Sequence, residues 1–94
     1  MKDVIIIGAG IAGLSAGFEL YKNNIEFQVL ETSNRVGGCI ETIKINGCLL
    51  ESGPHTFSSL STETLDLVKE LGIENSLLTG NPQAKKDIFF LIIN

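Results

Sequence analysis

Val4-Ile5-Ile6-Ile7-Gly8-Ala9-Gly10-Ile11-Ala12-Gly13 is the stretch whose reading decides the fold. Its first four residues form an unbroken apolar run, which suits a strand buried on both faces of a parallel sheet. The glycines follow at once, and Ile11, Leu14, Phe18 and Tyr21 then recur at helical spacing until Asn23-Asn24 ends the helix. Phe27-Gln28-Val29-Leu30 reads as a second strand, closed by Glu31, 18 positions after Gly13. A lone GxGxxG is a weak signal. One that leaves a strand, opens a helix and meets an acid at the end of the next strand is a dinucleotide-binding pattern.

Each residue of that pattern has a physical task. Gly8 allows a sharp turn where a β-carbon would clash. Gly10 leaves room for a pyrophosphate to approach the backbone, and Gly13 lets the helix pack close to the strand, with Gly17 extending the small-residue face. The helix start offers unpaired N–H groups and the positive end of its dipole, which favour a phosphate. Glu31 presents a carboxylate to the hydroxyls of a ribose and repels a 2′-phosphate, so NADP is disfavoured. The bland reading of the same residues is a tight strand-to-helix turn with no ligand.

Length and charge narrow the classes. Ninety-four residues make one domain at most, and 44% apolar content can fill a modest core. A net charge of −4 with a pI near 4.8 argues against nucleic acid. No apolar run reaches the 18 or so residues that span a bilayer. Met1-Lys2-Asp3 runs straight into a strand and leaves no room for a secretory signal, so a cytoplasmic, reducing setting is the simplest expectation. Cys39 and Cys48 with a single His55 make no standard zinc site, and both thiols read as ordinary small residues.

The rest of the chain is less regular. A polar loop runs from Thr32 to Gly38. Ile40 to Ile45 alternates weakly as a strand, Asn46-Gly47 is a hairpin turn, and Cys48 to Glu51 returns. Ser52 to Phe57 breaks regularity, and Ser58 to Ser61 leads into a helix over Thr62 to Leu71. That helix has Leu65, Val68 and Leu71 on one face, Glu63 and Asp66 in its first turn, and Gly72 as its stop. Thr79-Gly80-Asn81-Pro82 is a loop. Ile88 to Ile93 is a last apolar run with nothing after it to cover it, an aggregation hazard if left at an edge. The expected fold class is α/β, a Rossmann-like βαβ unit, but no third parallel strand stands in the usual place. The expectation is therefore a partial domain over 1–94: the βαβ unit over 1–31, a segment over 32–57 that carries the Arg-x-Gly-Gly and Gly-Pro sequences, and a helix with an apolar tail over 58–94.

Gly8-x-Gly10-x-x-Gly13, Glu31 and then Arg35-Val36-Gly37-Gly38 resemble the start of the FAD-dependent amine oxidase superfamily, whose members place Arg-x-Gly-Gly after three residues following the ribose-binding Glu. Gly47 to Phe57 and Asn81 to Lys86 most resemble its protoporphyrinogen oxidase branch. The resemblance covers the chain to about Lys86 but only about the first fifth of such an enzyme. It implies FAD as cofactor and a binding set of Gly8, Ala9, Gly10, Ile11, Ala12 and Gly13 at the pyrophosphate, with Glu31 and Thr32 at the ribose. Arg35 would lie over the AMP half, and Gly37-Gly38 would pass the pyrophosphate. Gly53, Pro54, His55 and Thr56 would sit near the flavin ring. Two departures stand out. Cys39 replaces a second Arg that commonly contacts phosphate, which should weaken FAD binding by about 1.5–3 kcal/mol if nothing compensates. From Asp87 on, an apolar tail stands where a strand with an Arg and a polar turn is expected, a pattern that would suit a truncated or frameshifted reading frame.

Beside these roles stand plainer ones: Arg35 as a solvated loop charge, His55 as a loop residue flanking a site rather than a base, Lys85-Lys86 as a solvated pair. No catalytic residue is expected here. Three functions compete. One is the FAD-binding segment of a flavin-dependent oxidoreductase, binding FAD poorly and inactive alone, with a second chain supplying the missing domain and peripheral membrane association implied by the family. The second is a non-catalytic nucleotide-binding or interaction module, docking through Ile88 to Ile93, or an inert remnant. The third, part of an NAD-dependent enzyme, fits poorly with Arg35-x-Gly37-Gly38 and Gly53-Pro54.

Overall fold

Strands β1 (Val4–Ile7) and β2 (Phe27–Leu30) pair in parallel, Val4 opposite Phe27 and Ile7 opposite Leu30, and helix α1 (Ile11–Lys22) makes the crossover between them. They belong to a computed structural model that describes residues 1–58 and 60–78 and divides into two units, Met1–Thr56 and one that begins at Phe57. The loop expected at Thr79 to Pro82, the Asn81 to Lys86 match and the apolar run Ile88 to Ile93 lie outside the described residues.

The helix meets the strands through its glycines. A β-carbon on Gly13 would stand 2.0 Å from the Gly8 carbonyl oxygen, and one on Gly17 would stand 2.9 Å from the Phe27 ring. Backbone therefore lies on backbone, and Val4, Ile6, Phe27 and Val29 are partly covered on that side. In the helical row Ile11, Leu14, Phe18 and Tyr21, Phe18 is half-buried and the other three are exposed, at 59%, 39% and 70%. Small residues permit the close approach and claim the inner face, so the large side chains project elsewhere. The same geometry corrects the expectation of a strand buried on both faces. Ile5, Ile7 and Leu30 alternate onto the side away from α1 and are exposed, Ile7 at 86%.

Local chemistry sets the ends. Asn23 caps α1, its backbone N–H reaching the Glu19 and Leu20 carbonyls, and Asn24 turns the chain at φ 56°. In the hairpin of β3 (Thr42–Ile45) and β4 (Cys48–Glu51), Asn46 and Gly47 have φ of 50° and 77°, as a two-residue I′ turn requires. The strand expected from Ile40 starts two residues later, because the Ile40 N–H bonds to the Gly37 carbonyl and is still part of the loop. In the second unit, helix α2 (Thr62–Glu70) starts where the Ser61 side chain accepts the Thr64 N–H at 3.3 Å. Glu63 is its first-turn acid, whereas Asp66 falls beyond that turn. Val68 is buried and Leu65 half-buried, but Leu71 lies past the helix end and is 48% exposed.

The close approach at Gly13 makes a sharp prediction. Gly13→Ala sets a methyl against a backbone oxygen that cannot rotate away, so stability should fall by roughly 1–3 kcal/mol or more. Ala16→Gly, on an exposed side of the same helix, should cost no more than about 1 kcal/mol. Urea unfolding of the two variants checks the difference.

Candidate dinucleotide-binding site

Ala9, 1% exposed, is the centre of the site. Its N–H donates to Glu31 Oε1 at 2.9 Å, and its carbonyl accepts the Gly37 N–H at 2.7 Å. The ladder of β1 and β2 runs on through the Gly8 N–H to the Leu30 carbonyl at 2.7 Å, which fixes Glu31 beside the turn. The other carboxylate oxygen accepts the Ser33 N–H at 2.8 Å. With a donor on each oxygen, Glu31 is held well below the ordinary carboxylate range, at about 2, the Ser33 N–H being the larger cause and the Ala9 N–H the next. The acid points into the turn and stays charged.

The start of α1 is open for an anion. Its N-cap, Gly10, offers no side chain to the first-turn N–H groups, and no acid stands in that turn. The first intrahelical bond runs from the Leu14 N–H to the Gly10 carbonyl, so the amides of Ile11, Ala12 and Gly13 point out of the helix end. These donors and the dipole behind them suit a diphosphate. Gly38 closes over the turn: a β-carbon there would stand 3.2 Å from the Gly10 Cα.

The remaining expected residues are placed less uniformly. Thr32 is exposed, between Glu31 and Ser33. Arg35 spends its guanidinium inside its own loop, donating to the carbonyls of Val36 at 3.1 Å, Ile40 at 3.3 Å and Gly38, and pairing with Glu41 at 3.0 Å. Gly53 is pressed against the Cys39 carbonyl, where a β-carbon would stand 2.0 Å from the oxygen. Pro54, His55 and Thr56 are exposed. Sequence reasoning missed two participants. Ser33 donates to Glu31, and its hydroxyl donates to the Arg35 carbonyl at 2.7 Å; a serine two places after an acid in a polar loop is the signal that could have found it. Glu41 had no signal beyond its charge. A shallow cavity of about 320 Å³ lined by Lys2, Tyr21, Asn24, Ile25, Glu26 and Phe27 lies at the amino ends of β1 and β2. That is the wrong end for a nucleotide, which binds beyond the carboxyl ends of parallel strands.

The chain belongs to the family of NAD(P)-binding Rossmann-like domains, whose model matches residues 6–71. Within it the similarity is to the N-terminal region of the FAD-dependent amine oxidase superfamily. The chain is 42% identical over 85 residues to coproporphyrinogen III oxidase of Bacillus subtilis (strain 168), covering 84% of this chain and 18% of that protein. It is 33% identical over 88 residues to the chloroplastic protoporphyrinogen oxidase of Nicotiana tabacum, covering 94% and 16%. Among solved structures, wild-type putrescine oxidase bound to putrescine superposes with a TM-score of 0.70 at 41% identity, over 76% of this chain and 16% of that one. The chain thus spans less than a fifth of the length of these curated relatives. No helix among the described residues is long and apolar enough to cross a membrane.

The Glu31 carboxylate sets a pH dependence. Its folded pKa is depressed from 4.5 to about 2, so its contribution is complete above about 4.5 and is lost as pH falls toward 2. Carbon-13 titration of the Glu31 carboxyl should show the low midpoint, and Glu31→Gln should flatten the acid limb of stability between those values.

Proposed function

We propose that this chain is the segment of a flavin-dependent oxidase that grips the ADP half of FAD. The observation that carries the reading is the ring of backbone around Ala9: a charged carboxylate on one side, the Gly37-Gly38 loop on the other, and an uncapped helix start between them. Gly8 to Gly13 would hold the pyrophosphate, with Ile11, Ala12 and Gly13 donating through their N–H groups. Glu31 would accept from the ribose hydroxyls, with Thr32 beside it. Gly53, Pro54, His55 and Thr56 would flank the flavin. The flavin, when bound, supplies the hydride acceptor. This chain's residues bind and orient, and none of them needs to act as acid or base. The relatives' names favour a porphyrinogen as the substrate of the whole oxidase, with the pocket built by residues beyond these.

Isothermal titration of the purified chain with ADP, FAD and NADP⁺ tests the reading. ADP and FAD should compete for one site, FAD weakly for its family because Cys39 replaces a phosphate-binding Arg. NADP⁺ should bind far more weakly, its 2′-phosphate meeting Glu31. Glu31→Ala should weaken FAD by roughly tenfold or more, the loss expected for hydrogen bonds to a charged group. The chain alone should not oxidise protoporphyrinogen IX. NADP⁺ binding as tight as FAD, or enzyme-like turnover, would overturn the proposal.

A further inference from the structure

We propose that Arg35 and Glu41 form a staple that shapes the Gly37-Gly38 loop over the glycine turn, and that Arg35 is a positioning residue rather than a phosphate ligand. This deepens the reading of the FAD site and rests on it only for the ligand measurements below. The argument is a count of donors. A guanidinium carries five N–H groups, four of them on its two terminal nitrogens. Here one terminal nitrogen donates to the carbonyls of Val36 and Ile40, and the other donates to the Gly38 carbonyl and forms an ion pair with the Glu41 carboxylate at 3.0 Å. Both terminal nitrogens are engaged, through three hydrogen bonds to loop carbonyls and one ion pair. A two-pronged grip on phosphate would have to release loop carbonyls that are themselves holding the Gly-Gly turn.

What the staple holds is the approach to the nucleotide. Gly37 has φ of 115°, a β-carbon there would stand 2.8 Å from the Ile40 carbonyl oxygen, and its N–H reaches the Ala9 carbonyl at 2.7 Å. Gly38 lies over Gly10. Glu41 ties the far side, because its own carbonyl accepts the Ser52 N–H at 2.9 Å, next to Gly53. The side chains of Arg35 and Glu41 are 38% and 40% exposed, so the ion pair contributes little as Coulomb attraction alone. Its effect is geometrical, fixing the plane of a fork that three loop carbonyls share.

The two roles for Arg35 give Glu41 opposite signs. If Arg35 served the phosphates by charge, removing the Glu41 carboxylate would free it and tighten FAD. If it is a staple, Glu41→Ala should loosen the loop and weaken FAD. Arg35→Lys keeps the charge but not the fork, so it should behave like Glu41→Ala. Hydrogen exchange at the Gly37 amide in the ligand-free full chain reads the loop without any nucleotide. Both variants should quicken it roughly 3- to 10-fold while the Asn46-Gly47 hairpin signals stay unchanged. FAD titrations should then weaken in step. Unchanged exchange in both variants, wild-type behaviour of Arg35→Lys, or tighter FAD in Glu41→Ala would overturn the proposal. Faster exchange with no FAD binding even by the wild-type chain would leave the staple standing and sink the ligand assignment instead.

Discussion

The fold and the site both depend on how the backbone of one buried alanine is satisfied. Ala9 sits where the chain leaves β1, too deep for water to serve its peptide groups, and a buried N–H or carbonyl left without a partner costs about 1–3 kcal/mol. Neither partner is local. The N–H is taken by the Glu31 carboxylate, 22 residues on, and the carbonyl by the amide of Gly37. Two segments distant in sequence are thereby pinned to the same turn. The glycine turn, Glu31 and the Gly37-Gly38 loop are brought together by that pinning.

Close packing is the second half of the same constraint. With Gly13 against the Gly8 carbonyl and Gly17 against Phe27, α1 begins where the turn ends, and its first amides face the space above the strands. A larger residue at either position would lift the helix and turn those amides away. The arrangement leaves apolar side chains uncovered on the far sides of both strands and helix, Ile7 and Tyr21 among them.

The βαβ unit, the hairpin turn and the start of α2 were legible in the sequence because each is fixed by local chemistry. Glycine spacing, Asn46-Gly47 and Ser61 before an amphipathic helix each admit few alternatives. The inner face of α1 was legible at Gly13 and Gly17; what periodicity did not say is that Ile11, Leu14 and Tyr21 would be left exposed. Burial of β1 failed for a related reason: an apolar run records what a strand can bury, and only tertiary neighbours decide what it does bury. At the site, Glu31 could be placed from its spacing. The involvement of Ser33 and Glu41 could not, since it depends on where the loop folds back, and neither could the contacts of Arg35 with the carbonyls of its own loop.

A coherent picture connects these levels. Glycines let a helix start sit low, a carboxylate held at about 2 stays charged beside it, and a stapled loop closes over the top. The most direct test of that picture is to map bound ADP on the full chain by following its backbone amide resonances. The largest shifts should fall on Gly10 to Gly13, Gly38 and Ser33, with the strand ends near Lys2 and Phe27 undisturbed. Shifts centred on Lys2, Tyr21 and Phe27, or none at saturating ADP, would contradict it.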